Sequence, residues 1–195
     1  MLSNIDSIDA NDACIYLRKI REGITQLKLN NQFAYKVYEF SVEYLIEHDK
    51  LDEALVALQK LVKDIAEPSH PRYNEFYSYK ILFFSCISLN ENEVAQHFYR
   101  FHSELSDPFI SFALSVHDAI MNANYFRWNV LVKNCNRFQS KFLHAYDDCF
   151  KQKMAQIIMK VYYTLSIDYL NALKLYPLSL FEGFESKNGQ IYFKK

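Results

Sequence analysis

A chain of 195 residues is long enough for one domain with a full hydrophobic core, or for one helical-repeat module plus a small cap, and too short for a second large domain. Half of its residues are hydrophobic and 16% are aromatic, with 15 Tyr and 16 Phe, so disorder is excluded and many flat, partly polar side chains must pack between elements or at an interface. The 22 Lys and Arg against 23 Asp and Glu leave a net charge of -1, which excludes a global electrostatic pull towards nucleic acid or membrane and makes any basic surface a local one.

Only 3 Gly and 4 Pro occur, too few turn-formers for many short strands, so helices are the expected element. Residues 1–11 are acidic and polar and are expected to be a flexible lead-in. Apolar residues then recur at three and four. A first helix is predicted from about Asp12 to Leu29. A second runs from about Gln32 to Glu47, with Phe33, Val37, Phe40, Tyr44 and Leu45 on one face, and a third from Leu51 to Ile65, with Leu51, Leu55, Leu58, Leu61 and Val62 together. Glu67-Pro68-Ser69-His70-Pro71 breaks the chain. Helices from Tyr73 to Leu89 and Glu91 to Leu105 form the next pair. After Asp107, a capping residue, and Pro108, at a first helical position, come Phe109 to Asn122 and Tyr125 to Phe138. Helix pairs recurring roughly every forty residues predict a curved array in which neighbours bury each other's apolar faces.

A long helix is predicted from Ser140 to Tyr163, and the elements then shorten. Ser166 caps a helix from Ile167 to Leu175, Pro177 opens another to about Glu185, and Lys187-Asn188-Gly189 turns into the alternating QIYFKK. That last strand needs a partner, which residues near Thr164 and Leu165 can supply. The expected organisation is therefore all-α: a helical-hairpin superhelix over residues 12–163 and a winged-helix cap over residues 164–195. The core is expected at Leu55, Leu58, Ile81, Leu82, Phe84, Ala113, Leu114, Val116, Ile157 and Leu170.

Nothing in the sequence points to catalysis or to a cofactor. Gly23, Gly183 and Gly189 are too scattered to form a phosphate-cradling loop. His48, His70, His97, His102, His117 and His144 match no metal-ligand spacing. The acidic pairs Asp52-Glu53, Glu91 with Glu93, and Asp147-Asp148 read as solvated charge, and the first two favour helix N-termini. Cys14, Cys86, Cys135 and Cys149 have no CxxC spacing, so a reduced intracellular compartment is expected. The longest apolar-rich stretch, Ile81 to Leu89, is too short to cross a bilayer.

Several blocks resemble one family. LRKIREGITQLKLNNQFAYKVYEFSVEYLIEHDKLDEALVALQKLV, with Arg18-x-x-Arg21, Ile24-Thr25-Gln26 and Val37-Tyr38-Glu39, is similar to the opening of the GANP (germinal-centre-associated nuclear protein) or Sac-three family. EFYSYKILFF, DPFISFALSVHDAIMNANYFRWNVLV, TLSIDYLNALKLY and NGQIYFKK resemble later blocks in the same order. Gly23 departs from the pattern, standing where the family usually has an acidic residue. The resemblance implies a PCI-type fold, named from the proteasome lid, the signalosome and an initiation factor. It also implies a non-enzymatic scaffold subunit in nuclear, transcription-coupled mRNA processing and export, assembled with a second PCI-domain protein and a small acidic partner peptide. The rival within the fold class is a small PCI subunit of the proteasome regulatory lid or a related initiation-factor or signalosome scaffold.

Candidate site residues follow from that reading. Tyr169, Tyr176, Phe181, Tyr192 and Phe193 in the cap are expected as exposed anchors for the second PCI protein. Lys187, Lys194 and Lys195 at the wing, and Lys133, Arg137 and Lys141 on the helix and turn before the long helix, are expected to meet an RNA or DNA backbone, with Tyr192 available to stack on a base. No membrane contact and no metal are expected.

Overall fold

The computed structural model describes residues 9–100, 106–172, 181 and 184–193, and the helices dominate it. In chain order they are α1 (Ala10–Gln26), α2 (Gln32–Glu47), α3 (Leu51–Lys60), α4 (Tyr73–Cys86), α5 (Glu91–Arg100), α6 (Pro108–Met121), α7 (Tyr125–Asn134), α8 (Arg137–Val161) and α9 (Ile167–Ala172). Strands β1 (Thr164–Ser166), β2 (Glu185–Lys187) and β3 (Gln190–Tyr192) form one small antiparallel sheet in the order β1-β3-β2. The all-helical expectation holds.

Side-chain caps set most helix starts. Asp9, Asn31 and Asn124 each accept a bond from a backbone N–H in the first turn of α1, α2 and α7. Asp107 accepts from the amides of Phe109 and Ile110, with Pro108 opening α6 as the sequence indicated. Asn136 and Gln139 cap each other's backbone amides at the start of α8. This capping box is why α7 stops at Asn134 and α8 begins at Arg137, whereas the pattern predicted one helix through Phe138 and a long helix only from Ser140. The first helix likewise starts two residues before its expected position and ends at Gln26. The third runs on past Lys60 through a π-helical turn at Leu61–Ile65.

The core centres on α4. Its sequence is apolar nearly all round, and Tyr73, Phe76, Tyr77, Tyr79, Ile81, Leu82, Phe83, Phe84 and Cys86 are all buried. It packs against α3, α5, α6 and α8, and α8 also returns across α2. The array is thus helical hairpins clasped by one long helix rather than a stack in which each pair meets only its neighbours. Leu58, Ile81, Leu82, Phe84, Ala113, Leu114, Val116 and Leu170 are buried as expected. Leu55 and Ile157 are only half-buried, and Phe33, placed by the pattern on the apolar face of α2, is 59% exposed. Phe33 sits in the first turn of α2, immediately after the Asn31 cap.

In the cap, Thr164 stands opposite Tyr192 and Leu165 opposite Ile191, so the last strand finds the partner that the sequence suggested. The Ser166 hydroxyl accepts from the Tyr169 amide and caps α9. The reading of a helix from Pro177 to about Glu185 needs correction at its end, because residues 185–187 are a strand; positions 177–180 lie outside the described residues. Asn188 and Gly189, both at positive φ, make the two-residue turn whose twist suits a β2–β3 hairpin.

Candidate macromolecular interface

The long chain of charge and aromatic residues read from the sequence separates into three groups. Two of the cations expected to meet phosphates form ion pairs at the protein surface. The Lys141 ammonium donates to both carboxylate oxygens of Asp49 at 3.0 Å, and Arg137 lies 3.7 Å from Glu47 while stacking over Phe138 at 4.4 Å. Both residues belong to the first turns of α8, not to a preceding turn, and they tie that helix to the acidic turn after α2. Both ion pairs lie at the surface, so they link α8 to the end of α2 and leave the two cations partly open to solvent. Lys133 and Lys187 are exposed and make no ion pair among the described residues. Lys194 and Lys195 lie outside the described residues.

The aromatic anchors divide in the same way. Phe181 and Phe193 are buried, with ring centroids 5.7 Å apart, and Phe184 packs edge-on to Phe193 at 5.2 Å. They form the cap's own core and are not exposed anchors, because a sheet of three-residue strands needs large side chains beneath it to exclude water. Tyr169 and Tyr192 remain exposed, at 49% and 36%. Tyr176 is outside the described residues. Sequence reasoning missed Val161, Tyr162 and Tyr163, all large and exposed where α8 runs into β1. The Tyr163 carbonyl accepts from the Phe193 amide at 2.8 Å, and the next residue, Thr164, faces Tyr192. The signal was present as the run KVYYT, but ending the long helix at Tyr163 hid it.

Elsewhere the charged groups hold the body together. The Arg72 guanidinium bonds Glu39 and, at 2.6 Å each, Glu43 and Glu75, joining α2 to α4, and the Tyr79 hydroxyl donates to Glu75 at 2.7 Å. Burial works against the Glu75 carboxylate, yet the bonds from Arg72 and Tyr79 hold its pKa below the ordinary value. Burial, with Lys80 and Arg100 nearby, pushes the His97 imidazole down to about 4. His97 pairs with the Tyr77 hydroxyl at 3.0 Å. Among the described residues no group of three or more His, Cys, Asp or Glu is placed to hold a metal, and no helix is long and apolar enough to cross a membrane.

Comparison with known proteins matches the model of the SAC3/GANP family to residues 25–179, which is most of the body and the start of the cap. The chain belongs to the SAC3/GANP family. It is also 25% identical over 176 residues to SAC3 family protein A of Arabidopsis thaliana, a match that covers 89% of this chain. The chain spans 18% of that protein's length. The SAC3/GANP match takes in α2 to α9, and with them the buried FYSYKILFF helix and the Trp128 helix pair, while the β2–β3 hairpin falls beyond it.

Proposed function

We propose that this SAC3/GANP chain is a non-enzymatic scaffold subunit of a nuclear complex that couples transcription to mRNA processing and export. The cap is a winged helix in this reading, with β2–β3 as its wing. Its partner is a second PCI-domain protein, docked on the cap where α8 enters β1. The observation that supports this reading best is the run Val161, Tyr162 and Tyr163, exposed beside Tyr192 on a cap whose own core is already filled by Phe181, Phe184 and Phe193. Exposed aromatics of this kind are the side chains from which interface anchors are drawn. A small acidic peptide-like partner would complete the hetero-oligomer. Lys187 on the wing and Lys133, which have no ion pair among the described residues, would touch an RNA or DNA backbone together with Lys194 and Lys195, in a contact that is independent of sequence and sensitive to salt.

Purification of the intact chain from cells, with identification of what accompanies it, tests the reading. Recovery of a second PCI protein together with mRNA-processing or export factors is expected, and Tyr162→Glu combined with Tyr169→Glu should weaken recovery of that protein by at least about tenfold. Recovery of proteolytic subunits instead would assign the chain to the proteasome lid. A folded monomer that recovers neither would overturn both.

A further inference from the structure

Arg21 is a buried charge with no ion pair among the described residues. It sits in α1 with only 7% of its surface exposed, its Nη1 is buried with no hydrogen-bond partner, and its side chain makes no ion pair. Burial pushes its pKa down, against the pull of the Tyr38 hydroxyl and Glu53. Only Nη1 is enclosed without a partner, which is unfavourable for folding, while the rest of the guanidinium is reached by solvent. The local structure holds it in place all the same. The Thr25 hydroxyl donates to the Arg21 carbonyl at 3.0 Å and lies 3.1 Å from the Tyr38 hydroxyl, which fixes this turn of α1 against α2.

The guanidinium borders an open cavity of about 530 Å³ between α1, α2 and α3, lined also by Arg18, Glu22, Tyr38, Glu53, Val56 and Lys60. The chemistry of this lining narrows what fits. Arg18, Arg21 and Lys60 are positive, but Lys60 is already bonded to Asp64 at 2.8 Å, and Glu22 and Glu53 carry negative charge at the same cavity. Those two carboxylates repel a dianionic phosphate more strongly than a singly charged carboxylate. A single carboxylate would find the unpaired fork of Arg21, whose planar donors suit it. Val56, 64% exposed on the wall, offers apolar contact beside the charge.

We propose that the Arg21 cavity receives one carboxylate side chain, flanked by apolar residues, from a segment of a protein partner. This site uses none of the cap's residues, so it stands or falls separately from the docking of a second PCI protein. In the complex the carboxylate pairs with the part of the guanidinium that faces the cavity, which has no ion pair in the free chain.

The test uses the full chain and two capped peptides, acetyl-Leu-Glu-Leu-amide and its Gln counterpart, with inorganic phosphate as the dianion control. Binding is followed through the NMR shifts of the Arg21 Nε–H and the Val56 methyls. The Glu peptide should shift both resonances, and the Gln peptide should bind at least about tenfold more weakly, the loss expected when a charged acceptor becomes neutral. Phosphate should shift neither. Arg21→Met should abolish binding while melting no lower than the parent, since it removes an unpaired charge; Glu53→Gln should tighten binding of the Glu peptide. Equal binding of the two peptides, no binding of either, stronger binding of phosphate, or loss of folding in Glu53→Gln would overturn the proposal. The last of these would make Glu53 the partner of Arg21 in solution. If Arg21→Met itself fails to fold, the peptide pair on the parent chain and the Glu53→Gln variant still decide the matter.

Discussion

The helical body and the cap are built on opposite plans. In the body, α4 buries eleven of its fourteen residues and is covered by α3, α5, α6 and α8, so each helix contributes a broad apolar face to one continuous core. The described core of the cap is Leu170, Phe181, Ile191 and Phe193, lying under strands of three residues each. Its sheet closes only when Thr164 meets Tyr192 across the whole cap sequence. Helices bury local contacts as they form, whereas a short ladder must first bring distant residues together. The body should therefore set the global stability, and the cap should open first, as suits a surface that has to adapt to a partner.

Two substitutions of similar chemistry would break or confirm that contrast. Leu82→Ala empties a fully buried position in α4 and should cost about 2–5 kcal/mol of global stability, read from the denaturant midpoint. Ile191→Ala removes a comparable buried side chain from β3. It should leave the global midpoint almost unchanged and instead speed amide exchange at the residues paired between β1 and β3. Equal midpoint shifts from the two variants would show that body and cap unfold as one unit.

Acid sharpens the same comparison, because the perturbed groups lie in the body. In the unfolded chain the His97 imidazole takes up its proton as pH falls through about 6.5, but in the fold it stays neutral down to about 4. Between those values the native state binds fewer protons than the unfolded one, so stability falls as pH falls, by up to about 3 kcal/mol across the window. Burial opposes protonation most, and Lys80 and Arg100 add to it. From the lower end of that window downwards Glu75 adds a further loss: its carboxyl is held below the ordinary value by Arg72 and Tyr79, so the stability that it lends above its unfolded pKa disappears as it protonates. Denaturation against pH should show the slope for the parent, and His97→Gln should flatten it between about 6.5 and 4. Exchange protection in the β1–β3 ladder should not follow the same curve.

The two regions also differ in how far the sequence revealed them. Helical periodicity placed the described ends of the body helices to within a few residues, since one apolar face per helix is enough to mark it, while the end expected at Leu105 lies outside the described residues. It placed the closing strand against Thr164 and Leu165 as well, because a lone alternating segment must find a partner. Features that depend on side chains meeting across the fold were not legible. The Asn136–Gln139 capping box splits what reads as one continuous apolar pattern, and β2 has no apolar alternation because all of its residues are exposed. Among the expected site residues, Arg137 and Lys141 proved to be bound by Glu47 and Asp49, acids some ninety positions earlier that no local pattern connects to them. Phe181 and Phe193 read as exposed because a minimal cap gives little sign of which aromatics it must keep for itself. Arg21 attracted attention only as part of an Arg-x-x-Arg spacing, and its lack of a partner is a property of three packed helices.

The smallest expected effect concerns the turns, where the contrast between body and cap appears once more. The cap's hairpin places Gly189 at φ 73, a conformation that glycine adopts freely. The body ends its helices on Lys28, Asp49, Leu89 and Ala123, all at positive φ and none of them glycine. At Ala123 the φ is 49, the amide of Ala123 bonds the Ile120 carbonyl, and the amide of Asn124 bonds the Ala119 carbonyl at 2.8 Å, so α6 closes in the double-bonded form that favours glycine at this position. An L side chain there costs roughly 1–2 kcal/mol, and glycine loses about 0.5–1 kcal/mol of chain entropy in exchange. Ala123→Gly should therefore gain about 0.5 kcal/mol, which for a chain of this size raises the melting temperature by roughly 1–2 °C. In the cap the same exchange runs the other way, and Gly189→Ala should loosen the β2–β3 hairpin without moving the global transition, since its added methyl meets no neighbour and acts only through the strained φ. Calorimetry on the two variants reads the body's gain directly, and exchange rates in β2 and β3 read the cap's loss. A gain of the same size at both positions would mean that backbone conformation at these turns does not govern stability in either region.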